Sequence, residues 1–133
     1  MEYHVHGDYL IEHSGDILIV RLFGSWNKEA AILFSQHLKQ TVSQFNGRPW
    51  GNMLDMSKWN LATPDIWEVV EELAHWTDQN NHRFEAVVTN KIIEKQLMNQ
   101  RFEYSPRLTK AFFPDEESAL NWCRQQNEKL CEI

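Results

Sequence analysis

The residues best suited to chemistry crowd into one stretch of the chain: Asp55, Ser57, Lys58, Trp59, Asn60, Thr63 and Asp65, all within residues 55–65. Asp55 and Asp65 supply two carboxylates that can share or pass a proton if folding draws them together. Ser57 and Thr63 supply hydroxyls and are the candidate phosphorylation sites. Thr63 stands at a predicted helix start, where free N–H groups favour an anion, whereas Asp65 opposes a phosphoryl group there by like charge. The same residue types also serve plainer ends. Asp55 and Ser57 can hydrogen-bond a turn, Thr63 can cap the helix, and Trp59 can pack as a lid.

A second set is aromatic. Trp26 follows a predicted strand, Trp59 sits in the predicted loop and Trp67 in a first helical turn, so the three can converge near helix N-termini. Tryptophans so placed pack, meet a protein partner or line the mouth of a small apolar-ligand pocket. Asp55, Ser57, Trp59, Thr63, Asp65, Trp67 and Trp26 are therefore the candidate partner or ligand surface. There is no Gly-x-Ser-x-Gly, phosphate loop, His-Glu-x-x-His or paired-cysteine motif. No catalytic residue, cofactor or metal site is expected, and the reading is not enzymatic. His4 and His6 share a face if their segment is extended, but no third ligand stands at a suitable spacing.

Composition narrows the partners. Thirteen basic against 19 acidic residues leave a net charge of −6, which disfavours binding along a phosphate backbone. Nucleic acid is thus not expected. No apolar run approaches the ~20 residues of a membrane span, and the N-terminal residues lack the basic and apolar regions of a signal peptide. Cys123 and Cys131 would lie roughly 12 Å apart along one helix, too far to bridge. Reduced thiols and a cytoplasmic protein are the expectation.

The elements that position these residues follow from pattern. Residues 9–13 and 17–23 are apolar or β-branched runs joined through Ser14-Gly15-Asp16, an antiparallel hairpin. The second run is nearly continuous, as in a strand covered on both faces. Gly24 to Trp26 breaks it, and Asn27 caps a helix over residues 28–45. Residues 50–54 form the third strand, followed by a loop over 56–62. The second helix has Thr63 as N-cap and Pro64 at its first position, with Ile66, Val69, Val70, Leu73, Ala74 and Thr77 as its inner stripe. Its other side carries Glu68, Glu71, Glu72, His75 and Asp78, a solvated face or a docking face for a basic partner. Residues 84–89 form a fourth strand. Residues 92–103 form a third helix with Ile93, Leu97, Met98 and Phe102 inward. Residues 109–113 form a fifth strand, and a last helix capped by Asp115 runs over 115–127 with Ala119, Leu120 and Cys123 inward. One domain, residues 1–133, is expected: a five-stranded, mostly parallel α/β sheet with an antiparallel N-terminal edge strand and four helices.

With these residues placed, the chain resembles the SpoIIAA-like group, the STAS domains and their Sec14-like kin, over about residues 10–124. The marks are the opening hairpin, the Gly24 turn into the first helix, the strand ending in Asp55-Met56-Ser57, and the tail. In the tail, Phe113, an acidic turn and Ala119-Leu120-Asn121-Trp122 look like the closing segment of small uncharacterised bacterial SpoIIAA-like proteins. In the anti-sigma-factor antagonists, the strand ending in Asp-x-Ser leads to a helix whose first turn carries a phosphorylatable serine followed by serine and glycine. Counted without gaps from Asp55, that serine falls at Pro64. No Ser-Ser-Gly occurs, so partner switching by phosphorylation does not carry over as it stands, and Thr63 takes the place only if the register differs by one. The resemblance implies a small regulatory module that binds a protein partner through the 55–67 surface. The Sec14-like kinship and the aromatic residues imply, alternatively, a carrier of a small apolar or lipid-like ligand. A homodimer is compatible with either.

Overall fold

A computed structural model describes residues 7–131 of the chain; His4 and His6 lie outside them. The apolar run of β1 (Asp8–Ser14) turns back antiparallel onto β2 (Ile17–Trp26) with Tyr9 opposite Leu22 and Ser14 opposite Ile17. Three crossovers follow. α1 (Lys28–Ser43) leads to β3 (Trp50–Ala62), α2 (Ile66–Gln79) to β4 (His82–Val88), and α3 (Ile92–Phe102) to β5 (Thr109–Phe113). The sheet order is β1-β2-β3-β4-β5, and β2 through β5 are parallel. α4 (Glu116–Cys131) closes the described chain. This is the architecture the sequence predicts.

α1, α2 and α3 pack side by side on one face of the sheet, and α4 covers β3 and β4 on the other. Each central strand therefore feeds two cores, which is why it reads as a continuous apolar run. Leu18, Val20 and Val87 face the three helices, while Ile17, Ala86 and Val88 face Ala119 and Cys123 of α4. Gly51 is needed on the α4 side, since a Cβ there would lie 2.2 Å from the ring of Phe84.

The helix ends show which local signals act. Asn27 Oδ1 accepts from the Ala30 N–H at 3.0 Å, and Asp115 Oδ1 from the Ser118 N–H at 2.8 Å. Asn27→Ala is expected to lower stability by about 1 kcal/mol, read by urea unfolding; an unchanged midpoint would show that the cap contributes nothing. Thr63 is not a side-chain cap. Its hydroxyl donates to the Asp65 carboxylate, and α2 begins only at Ile66, whose N–H is taken by the Thr63 carbonyl at 3.1 Å.

Other features also differ from the sequence reading. α1 ends at Ser43, and residues 44–47 form turns instead of continuing the helix to residue 45. β2 does not break at Gly24. The strand runs on to Trp26 because Gly24 adopts φ +75°, a left-handed value that glycine takes without strain. The predicted 56–62 loop is strand: β3 stays paired to β2 as far as Trp26 opposite Ala62, through register shifts between Arg21 and Phe23 and between Gly24 and Trp26. In α3 the buried positions are Glu94, Met98 and Phe102, so Ile93 is 67% exposed instead of inward. Glu94 is drawn in by Thr89, whose hydroxyl donates to it at 2.5 Å.

Candidate functional site

Between the sheet and α1–α3 lies a cavity of about 290 Å³, at the small end of the ~300–1,000 Å³ usual for ligand pockets. The strands supply one wall and α2 the other. The inner stripe read from the sequence, Ile66, Val69, Val70, Leu73 and Thr77, lines it. The bulges in β3 explain how the aromatic wall forms. With simple alternation Met56 and Trp59 would face opposite sides of the sheet. Three β3 residues span the step for which β2 uses two, which shifts the phase and puts both in the cavity wall.

Trp26, Trp59 and Trp67 converge on this cavity. Trp26 and Trp59 are buried, and the Trp26 indole N–H donates to the Phe23 carbonyl at 2.9 Å. Trp67 is half-buried in the first turn of α2. Thr63 and Pro64 also line the cavity and are exposed, so its mouth lies where β3 hands over to α2. That is the carboxyl end of the strands, where open α/β sheets gather their ligands.

The inner end is polar. His82 stacks on Trp50 with ring centroids 4.3 Å apart, and its Nε2 is 2.5 Å from Asn52 Oδ1. Glu85, also fully buried, sits 2.8 Å from Arg101 Nη1. All four side chains, His82, Asn52, Glu85 and Arg101, line the cavity. Burial, together with the nearby Arg101 and Arg83, holds His82 well below its ordinary value, so the ring is neutral. Burial pushes the Glu85 carboxyl up, against the opposing pull of Arg101 and Asn52.

Asp55 and Ser57 sit on the other side of β3. Asp55 Oδ1 accepts from the Ser57 N–H at 2.8 Å, within the bulge of β3 and not in the turn that the sequence suggests. Its carboxyl lies in one small surface pocket with that of Glu116 at the start of α4, which Arg21 grips with two hydrogen bonds of 2.8 and 2.9 Å. Arg21 and Asp55 hold Glu116 down at about 2, while burial and Glu116 raise Asp55. Of the two, Asp55 is therefore the carboxyl that takes up a proton first as pH falls. Asp65 is not part of this pair: it is exposed and bonded to Thr63. Ser57 and Thr63 are both exposed. On α2, Glu68 and Glu72 are already paired with Lys28 and Lys39 of α1, at 3.1 and 2.7 Å. Among the described residues no cluster of His, Cys, Asp and Glu is arranged to hold a metal, and no helix is long and apolar enough to cross a membrane. Cys123 is buried, with its thiol pushed up to about 12 by that burial, and Cys131 is exposed; neither is in a disulfide.

Sequence reasoning missed Asn52, His82, Glu85 and Arg101. One signal was present: Glu85 interrupts the apolar run between Phe84 and Ala86 on a strand buried on both faces, where an unpaired charge is not tolerated.

The sequence matches no family model and no curated protein. Solved structures do match. An uncharacterised protein from Shewanella loihica PV-4, of the DUF3478 family with a SpoIIAA-like fold, superposes with a TM-score of 0.71 at 17% identity, covering 92% of this chain and 98% of that one. The anti-sigma factor antagonist SpoIIAA in its unphosphorylated form gives 0.65 at 11% identity, over 88% and 98% of the two chains. An anti-sigma factor antagonist from Mycobacterium paratuberculosis gives 0.61 at 12% identity, over 93% and 99%. The chain has the SpoIIAA-like, STAS-type fold from end to end of these neighbours.

Proposed function

We propose that this SpoIIAA-like chain is a small regulatory module whose cavity takes up a small apolar ligand. The observation that carries the reading is the cavity itself: about 290 Å³, walled by the α2 stripe and by three converging tryptophans, with its mouth at the carboxyl ends of the strands. A site of this shape rewards an apolar occupant, since each buried CH₂ is worth about 0.8 kcal/mol. The fold neighbours that are anti-sigma factor antagonists support regulation as the setting. A ligand seated against Trp67 and Ile66 would bear on the first turn of α2 and on Thr63, the surface where a protein partner would dock.

Protein binding alone through the 55–67 surface is the second reading, favoured by the exposure of Ser57, Thr63 and Asp65. It is the weaker of the two, because Trp26 and Trp59 turn inward and cannot serve as anchors on that surface. Organic extraction of natively purified protein is expected to release one small apolar compound per chain. Stripped protein is then expected to bind octane saturably, followed through its tryptophan fluorescence. An empty extract and no saturable binding would remove the ligand reading and leave the partner.

A further inference from the structure

The two edges of the sheet are made differently. An open edge strand offers its N–H and C=O groups to any other strand, and shortness, proline or lysine blunts it. β5 has all three: it is five residues long, lies between Pro106 and Pro114, and carries Lys110. β1 is seven residues long with no proline, lysine or bulge, and among the described residues it pairs with β2 alone. Its open groups can be assigned. Ser14 and Ile17 flank the two-residue turn and exchange hydrogen bonds, so alternation leaves Tyr9, Ile11 and His13 with N–H and C=O pointing away from β2. The Tyr9 N–H accordingly goes to the carboxylate of Asp8, 2.8 Å away. α1 runs beside this edge. Its Lys28 and Lys39 mark the flank toward α2, where they pair with Glu68 and Glu72. His37 marks the flank against Tyr9, and Leu33, one turn earlier on that flank, is 54% exposed.

We infer that β1 pairs antiparallel with β1 of a second copy of this chain, about a two-fold axis through Ile11, so that one sheet runs through both copies. Asp8 and Glu12 do not bar this edge; they select its register. A two-fold at Leu10 would set Asp8 against Glu12 of the second copy, and one at Glu12 would set that carboxylate against itself. Like charges directly opposite destabilise a strand pair. The two-fold at Ile11 avoids both and engages every open group. Ile11 meets Ile11, Tyr9 meets His13 and Leu10 meets Glu12, with roughly six backbone hydrogen bonds. Arg21 stands opposite Leu10 on β2, so Glu12 of the second copy arrives on the face that carries an arginine. Leu33 of each copy then flanks the new strand pair and leaves water.

Sedimentation equilibrium of the full chain, from micromolar to submillimolar concentration, tests the association. The expected mass is twice that of the chain; the chain mass throughout overturns the inference. His13→Pro, at an exposed position, removes an open N–H and puts a ring on the edge. It is expected to sediment at the chain mass with an unchanged circular dichroism spectrum. A folded variant that still dimerises shows that β1 is not the interface. Should the variant not fold, cross-linking decides. Leu10→Cys and Glu12→Cys proteins, each also carrying Cys131→Ser to remove the exposed thiol, are mixed under reducing conditions and then oxidised. Across the two-fold, positions 10 and 12 form a non-hydrogen-bonded pair with Cα atoms about 4.5 Å apart, within disulfide reach. Like positions are diagonal neighbours roughly 7–8 Å apart, which is too far. The mixed disulfide is expected in clear excess over either self-linked dimer, and a statistical mixture or no cross-link counts against the inference.

Discussion

Arg101→Met is expected to lower folding stability at neutral pH by roughly 3–5 kcal/mol, the usual consequence of leaving one member of a buried ion pair uncompensated. Met keeps most of the Arg101 stem and removes the guanidinium, which is paired with Glu85 and lies over the Phe102 ring with Cζ 5.5 Å from its centroid. Glu85 is then a desolvated carboxylate with only Asn52 to hold it. The pH dependence separates this from a packing effect. The native Glu85 carboxyl already lies above its ordinary value of 4.5, so the native state holds that proton more tightly than the unfolded chain. Its contribution is therefore full below about pH 4.5 and is lost as pH rises through the native value. Without Arg101 the native value rises further and the loss extends to higher pH. Urea unfolding should find the variant much weaker than wild type at neutral pH and closer to it in acid, where Glu85 carries its proton. Glu85→Gln added to Arg101→Met is expected to restore much of the neutral-pH deficit. An equal deficit at both pH values, unrelieved by Gln, would show that Arg101 acts through packing alone.

The same residues mark the boundary of what the sequence discloses. The α2 stripe was legible because its five cavity residues recur at helical spacing within one element, and the tail because Asp115 caps it locally. Local signals misled where the fold resolves a competition over longer range. Residues 56–62 read as a loop in the sequence, yet pairing with β2 and a bulge keep them extended. Thr63 had the composition of an N-cap, but the Asp65 carboxylate takes its hydroxyl. Apolarity alone points Ile93 inward, whereas Glu94, bonded by the Thr89 hydroxyl, is the buried residue and Ile93 is mostly exposed. The polar end of the cavity is the extreme case. Asn52, His82, Glu85 and Arg101 come from β3, β4 and α3 and meet only because those elements are neighbours in the sheet and on its helical face. No spacing along the chain encodes that meeting.

A cavity maintained for a ligand should be stabilised by being filled, and Val69→Phe tests that with two readouts of opposite sign. Val69 stands on α2 in the cavity wall and packs against the main core. A phenyl ring directed into the void removes empty volume without displacing neighbours. At ~24 cal/mol per Å³ of void removed, the variant is expected to gain roughly 1 kcal/mol. Binding of octane, which needs the same space, should weaken by about tenfold or more. The alternatives differ in sign as well as size. In an ordinary close-packed core the larger side chain overpacks and costs roughly 1–3 kcal/mol. On a surface serving only a protein partner, it would leave small-molecule binding absent before and after. A Val69→Phe protein that melts higher and binds less is the combination that only a ligand cavity produces. A lower melting temperature with octane affinity unchanged would mean that this space is not where the ligand sits.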